Sequence, residues 1–163
     1  MLSGIISSVS GAVNTSGDNV SIDSNVQFVS TDSNNIAIGQ GSMAGATNNN
    51  ADSNVAIGVN ALTGITSGDQ NIVLGSGAGG GLTTSSDNIA IGHDALADSN
   101  CGDGPTYNVA IGTNALKDNT GVQNIGIGAA AGKALAAGVS NTIVGHLAGQ
   151  GIDGQSYNTI IGN

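Results

Sequence analysis

The sequence predicts an all-β chain wound as a parallel β-solenoid of about eight coils of 16–20 residues, and three observations predict it. An Asn is followed four residues later by a Gly that closes a short apolar run, and this unit recurs eight times. The spacings between successive units are 19, 17, 17, 20, 16, 17 and 17 residues, close to one constant length. Such a period marks repeats that cannot bury their own apolar face and must stack on neighbours. The third observation is compositional. With 28 Gly, one Pro and only Phe28, Tyr107 and Tyr157 as aromatics, the large side chains of a globular core are missing. All acidic residues are Asp, the only cations are Lys117 and Lys133, and Glu and Arg are absent, which disfavours helix and favours strand and turn.

Taken from the N-terminus, residues 1–18 stand apart from the repeats. Leu2, Ile5, Ile6, Val9 and Val13 fall at three- and four-residue spacings, as on one helix face, although Gly4 and Gly11 weaken a helix. Three roles are open to this segment: a plug for the roll, a short bundle in an oligomer, or an arm that docks on a larger assembly. The repeat domain spans 19–163, and a degenerate first coil is expected at Asn19 (NVSID), sixteen residues before Asn35.

The repeat units begin at Asn35, Asn54, Asn71, Asn88, Asn108, Asn124, Asn141 and Asn158. Each opens a strand, since alternate residues share a face and the apolar run is short. One face carries Ile36 and Ile38, Val55 and Ile57, Ile72 and Leu74, Ile89 and Ile91, Val109 and Ile111, Ile125 and Ile127. The other carries Ala37, Ala56, Val73, Ala90, Ala110 and Gly126. The branched residues are expected inside the roll, and the small-residue face outside, where it would admit close approach of another copy of the chain. The Asn residues are expected to form a ladder, each bonding the Asn or backbone of the next coil.

The strand ends at Gly39, Gly58, Gly75, Gly92, Gly112, Gly128, Gly145 and Gly162, each expected at a corner needing positive φ or room that a Cβ would deny. A second short strand is expected next, carrying Ser42, Ala61, Ala78, Ala95, Ala115, Ala131 and Ala148, with Met43, Leu62, Leu96 and Leu116 as larger fillers. The variable tails, such as TGITSGDQ and KDNTGVQ, are polar turn sequences expected on an outer edge. Thr142 and Thr159 replace the branched aliphatic in the last two units while Ile143 and Ile160 take the small-residue face, which predicts a changed interface or twist there. No capping segment is expected for the final coil, which an oligomer or partner is then expected to cover.

Composition also narrows function. A net charge of -9 with two cations leaves nothing to neutralise a phosphate backbone or an anionic membrane, so neither nucleic acid nor membrane is expected as a partner. In-register apolar residues at a fixed period, 39% of the chain, argue against disorder. Cys101 is the only cysteine, so no intrachain disulfide is possible, and it reads as an exposed or half-buried bystander. The start MLSGIISSVSGAV lacks the cationic residues of a secretory signal, and no apolar run is long enough to span a bilayer.

Candidate chemistry is sparse. His93 and His146 both follow a corner Gly, with Thr113 and Ala129 at that position between them, so a His ladder is broken. In a threefold assembly one such His per chain could meet at the axis around an ion, but a solvated His is the reading preferred. The segment 98–104 (DSNCGDG) has the alternating oxygens of a calcium loop without its downstream Glu. The glycines from Gly77 to Gly81 precede no Lys-Ser or Lys-Thr that a phosphate loop requires. No acid/base pair, activated nucleophile or metal cluster emerges. Neither a cofactor nor an enzymatic activity is expected.

The stretches NVAIGVNAL (54–62), NIAIGHDAL (88–96) and NVAIGTNAL (108–116) resemble the head repeats of trimeric autotransporter adhesins, the YadA-like head, and repeats of bacteriophage tail-fibre and virion-surface proteins. The resemblance runs from Asn35 to Asn163. It implies a left-handed parallel β-roll, assembled as a homotrimer with small-residue faces at the contacts. The coils are longer and less regular than the adhesin pattern, and the signal, neck, stalk and anchor of that family are not expected here. The expectation is a non-enzymatic virion-surface protein, a trimeric capsid cement or decoration protein touching the major capsid protein or another virion protein through residues 1–18. The alternative is a receptor-binding tail-fibre module, or an adhesin head on a bacterial cell surface, contacting a host glycan or protein.

Overall fold

The computed structural model describes residues 13–14, 19–22, 32–46 and 50–163. Among them there is no helix. The strands are β1 (Val13–Asn14), β2 (Val20–Ile22), β3 (Ile36–Ile38), β4 (Val55–Ile57), β5 (Ile72–Leu74), β6 (Ser85–Ser86), β7 (Ile89–Ile91), β8 (Gly104–Pro105), β9 (Val109–Ile111), β10 (Ile125–Ile127), β11 (Thr142–Val144) and β12 (Thr159–Ile161). Ten of these form one sheet in the order β1-β2-β3-β4-β5-β7-β9-β10-β11-β12, and β6 pairs with β8 in a separate two-stranded sheet. From β2 onward every neighbour in the large sheet is parallel and in the same repeat register, as in Val20↔Ile36, Ile36↔Val55 and Ile72↔Ile89. The chain is a parallel β-solenoid of about eight turns. The coil at Asn19 is therefore real: β2 stacks on β3 as the first step of the rod.

Each coil sends its backbone bonds to its neighbours, as a repeat without internal pairing must. Ile36 N donates to Asn54 O at 2.8 Å, and Gly58 N donates to Ile38 O at 2.8 Å. At the corner, Gly58 has φ +140°, and a Cβ there would lie 2.6 Å from the carbonyl carbon of Gly75 in the next coil. Conformation and stacking both require glycine at that corner.

Inside and outside are the reverse of the expectation. Ala37, Ala56, Val73, Ala90, Ala110 and Ile143 are fully buried within the coil, whereas Ile36, Ile57, Ile72, Leu74, Ile91, Ile111 and Ile127 are exposed. The small-residue face is therefore not an outer contact face. The reason is volume. Period-two alternation shows that a strand has two faces but not which one is enclosed. Here the enclosed face meets large residues arriving from the opposite wall, Met43, Leu62, Leu96 and Leu116, all fully buried. A second row of Ile would overfill that narrow interior.

The two walls compensate residue by residue. Where the strand centre is Ala37, Ala56, Ala90 or Ala110, the opposite wall supplies Met43, Leu62, Leu96 or Leu116. Where the strand centre is Val73 or Ile143, the opposite wall has Gly79 or Gly149, and those side chains occupy the space a Cβ would need. Gly126 and Gly132 share a coil, and its interior is filled from the coils on either side by Leu116 and Ile143.

The opposite wall is not a second strand. It is a stacked turn in which two residues per coil have positive φ, such as Asn60 (56°) and Leu62 (54°), or Asn114 (57°) and Leu116 (47°). Hydrogen bonds still join it from coil to coil, with Leu62 N donating to Ala78 O at 2.8 Å and Leu116 N donating to Ala131 O at 3.0 Å. Left-handed residues break the extended run a strand needs while keeping the in-register stacking. The tails, expected on an outer edge, form a further wall. Ile65 and Leu82 are fully buried, as are Ser85, Ser99 and Asn119, and Ile152 packs partly against the core.

At the N-terminus, Val13–Asn14 is a strand antiparallel to β2, with Val13 opposite Ile22, where the spacing had suggested helix. The other expected docking residues, Leu2, Ile5, Ile6 and Val9, lie outside the described residues.

Candidate functional site

Three features of the rod could meet another molecule or hold it together: an apolar stripe on the sheet's outer face, an amide ladder at the start of each strand, and an exposed edge next to that ladder. The stripe follows directly from the register. Residues one and three places after each Asn project outward, so Ile36, Ile72 and their equivalents form one row while Ile57, Leu74, Ile91, Ile111 and Ile127 form a second. With coils about 4.8 Å apart and three residues per strand, the stripe covers on the order of 300 to 400 Å², within the range of a functional apolar patch. The first row turns polar at Thr142 and Thr159, while the second continues through Val144 to Ile161.

The ladder runs through the described coils from Asn19 to Asn158. Asn71 shows its chemistry. Its backbone N and its Nδ2 both donate to Asn54 Oδ1, at 2.9 and 3.0 Å, and its Nδ2 also donates to Ser85 O at 2.9 Å. Its own Oδ1 accepts from Asn88 N and Nδ2, both at 3.0 Å. A side-chain amide supplies one acceptor and two donors, and all are used here in a fully buried site. Asp would lack the donors and Ala would leave the next coil's donors orphaned.

The ladder changes hands around Asn108. Thr106 Oγ1 donates to Asn88 Oδ1 at 2.7 Å, and Asn108 Nδ2 turns instead to Cys101 Sγ at 3.4 Å and Gly121 O at 3.0 Å. Asn119 Nδ2 also reaches Cys101 Sγ, at 3.6 Å, and Cys101 Sγ lies 3.5 Å from Asn119 O. Cys101 is thus half-buried and built into the ladder, not a bystander. Burial pushes its thiol up from 9.0 to about 11, with the Asn108 and Asn119 amides partly offsetting the rise. The nearby inserted loop is what brings it there, a placement no repeat pattern could reveal because the loop occurs once.

The other candidate side chains do not converge. His93 and His146 are both exposed; His93 Nδ1 lies 3.5 Å from Asp94 Oδ2. Lys117 Nζ bridges coils to Asp94 and Asp98 at 3.6 and 3.7 Å. In the 98–104 segment the oxygen-bearing groups diverge: Asp98 faces Lys117, Ser99 bonds Leu116 O, and Asp103 accepts from Thr84 Oγ1 at 2.5 Å. Among the described residues, no group of three or more His, Cys, Asp or Glu is placed to share a metal ion.

The edge consists of the residue before each ladder Asn, and among the described residues from Asn34 onward it always has positive φ: Asn34 and Ser53, then Gln70, Asp87, Tyr107, Gln123, Ser140 and Tyr157 in successive coils, all at least partly exposed from Gln70 on. Beside Gln70 and Asp87 is an open cleft of about 430 Å³, lined also by Ser67, Asp69, Thr84 and Asp103. No protein-family model, no curated protein and no solved structure matches this chain. Among the described residues no helix is long and apolar enough to cross a membrane.

Proposed function

We propose that this chain is a non-enzymatic structural protein of a bacteriophage virion, a homotrimer of left-handed rolls that acts as a capsid cement or decoration protein. The observation that supports it best is the apolar stripe. A parallel sheet normally has both faces covered, and a patch of this size on a rod with net charge -9 calls for an apolar partner surface. A second copy supplies one of matching length, and three copies about an axis cover all three stripes at once. In this reading the contact is made by the branched aliphatic rows, not by the alanine face. A trimer of such rods presents an end that fits a threefold junction of a shell, with the N-terminal segment as the contact to the major capsid protein.

A second reading is a receptor-binding tail-fibre module or adhesin head, and the observation favouring it is the exposure of Tyr107 and Tyr157 on one edge. Quantitative mass spectrometry of separated heads and tails from purified particles distinguishes the two. Hundreds of copies in heads are expected for a cement protein. A few trimers in tails select the second reading, and absence from both fractions overturns a virion role.

A further inference from the structure

We propose that the edge ahead of the Asn ladder is a binding track for a neutral oligosaccharide, with Tyr107 and Tyr157 as its stacking platforms. The inference deepens the receptor-binding reading and rests on it, since both start from the exposure of Tyr107 and Tyr157; fractionation of particles tests that reading and an oligosaccharide array tests the ligand. It begins with backbone conformation. Tyr107 and Tyr157 have φ of 53° and 61°, a region that suits Asn, Asp or Gly and penalises a bulky side chain. Leu62, Leu96 and Leu116 also have positive φ and are fully enclosed in the core, whereas Gln70, Gln123 and Leu147 have it while exposed. The tyrosines recover little from packing, since Tyr107 is 54% exposed and Tyr157 is 80% exposed. Positive φ belongs to this place in every described coil from Asn34 onward, so what sets the two tyrosines apart is a large aromatic ring left in solvent.

Their placement supports the same conclusion. The chain has only these two tyrosines, and both fall in the same row, three coils apart. That separates them by about 14 Å along the axis. Gln123 and Ser140 occupy the two coils between, with Ser140 Oγ 3.2 Å from Gln123 Oε1. A flat apolar ring at each end with amide and hydroxyl groups between matches a short sugar chain, whose C–H faces stack on aromatic rings and whose hydroxyls exchange hydrogen bonds. One coil beyond Tyr107 the row enters the open cleft at Asp87 and Gln70. Carboxylates there accept bonds from sugar hydroxyls, while the net charge of -9 disfavours sialylated or sulfated chains.

The test uses the whole chain on an array of immobilised neutral and sialylated oligosaccharides, followed by titration of the best neutral binder. With no Trp present, intrinsic fluorescence above 300 nm reports Tyr107 and Tyr157 alone. Neutral members should bind with a change in tyrosine emission, and sialylated members should not. The variant Tyr107→Asn/Tyr157→Asn should bind at least about tenfold more weakly. It should also melt no lower than the parent, because Asn suits the backbone at both positions; Asn34 already holds this place at φ 61°. Binding of no neutral oligosaccharide, binding of sialylated ones only, or binding undiminished in the double variant would each overturn the proposal.

Discussion

Val73 Cγ2 occupies the space in front of Gly79, so that a Cβ built on Gly79 would lie 3.1 Å from it. The pair is one instance of a pattern in six coils: a larger residue at the strand centre goes with glycine on the opposite wall, and alanine there goes with leucine or methionine, while the coil of Gly126 and Gly132 is filled by its neighbours. The pattern predicts coupling between the two positions. Val73→Ala should destabilise by about 1–2 kcal/mol through a cavity, and Gly79→Leu by about 1–3 kcal/mol through overpacking. The double variant reproduces the Ala56/Leu62 arrangement and should lose much less than the sum. Urea denaturation of the four proteins measures it; strict additivity would show that the walls do not share volume.

The ladder gives a prediction with a pH signature. Asn71→Ala leaves the backbone N–H of Asn88 without an acceptor and its Nδ2 with only Ser86 O, and should cost about 3 kcal/mol. Asn71→Asp keeps the acceptor but sets a carboxylate against Asn54 Oδ1 and Ser85 O, where Asn71 donates. Burial raises the folded-state pKa of that carboxyl above its unfolded value. The protonated form is then the one the fold tolerates, so the variant should gain stability relative to the parent as pH falls from 7 toward 4. Thermal melts across that range check the sign, and a variant whose deficit grows with acidity would refute it.

How much of this was legible in the sequence depends on the periodicity of each feature. The Asn-to-Gly period is the coil period, and the strand between Asn54 and Gly58 lies where alternation places it. What alternation cannot supply is sidedness. Ile57 is more hydrophobic than Ala56, yet Ala56 is enclosed, because the space available is fixed by Leu62 on the far wall. That relation is visible in the sequence only as covariation between positions six apart, Ala56 with Leu62 and Val73 with Gly79. The turn at Asn60 and Leu62 was missed because leucine carries no signal for positive φ. Cys101 lies in an insertion that occurs once, so no period could mark its place in the ladder.

Cys101 should behave as a protected thiol. With its pKa raised to about 11, almost none is thiolate at pH 8, and its reaction with an aromatic disulfide reagent should be far slower in the folded rod than in urea. The linkage has a definite sign. A thiol whose folded pKa exceeds the unfolded value contributes stability below pH 9, and that contribution is lost as pH rises toward 11. Cys101→Ser should flatten the decline between these values, because a hydroxyl does not ionise there. A parent and variant with the same alkaline melting profile would contradict the placement of the thiol.

The inversion of inside and outside makes two neighbouring residues respond in opposite ways. Ala90 is fully buried and Ile91 is exposed on the stripe. Ala90→Ile adds three carbons to a filled interior and should destabilise by about 1–3 kcal/mol, with little effect on association of whatever remains folded. Ile91→Asp leaves the interior untouched but puts a carboxylate into the apolar stripe, and in a symmetric assembly each copy brings another. Sedimentation equilibrium should show the parent associating, more tightly as salt screens the -9 charge, while Ile91→Asp sediments as a monomer with a near-native circular dichroism spectrum. Gln at the same position would separate charge from burial: it adds no charge, so a monomer with Ile91→Gln as well assigns the effect to the apolar contact. A parent that is monomeric at all concentrations would remove the stripe as an assembly face.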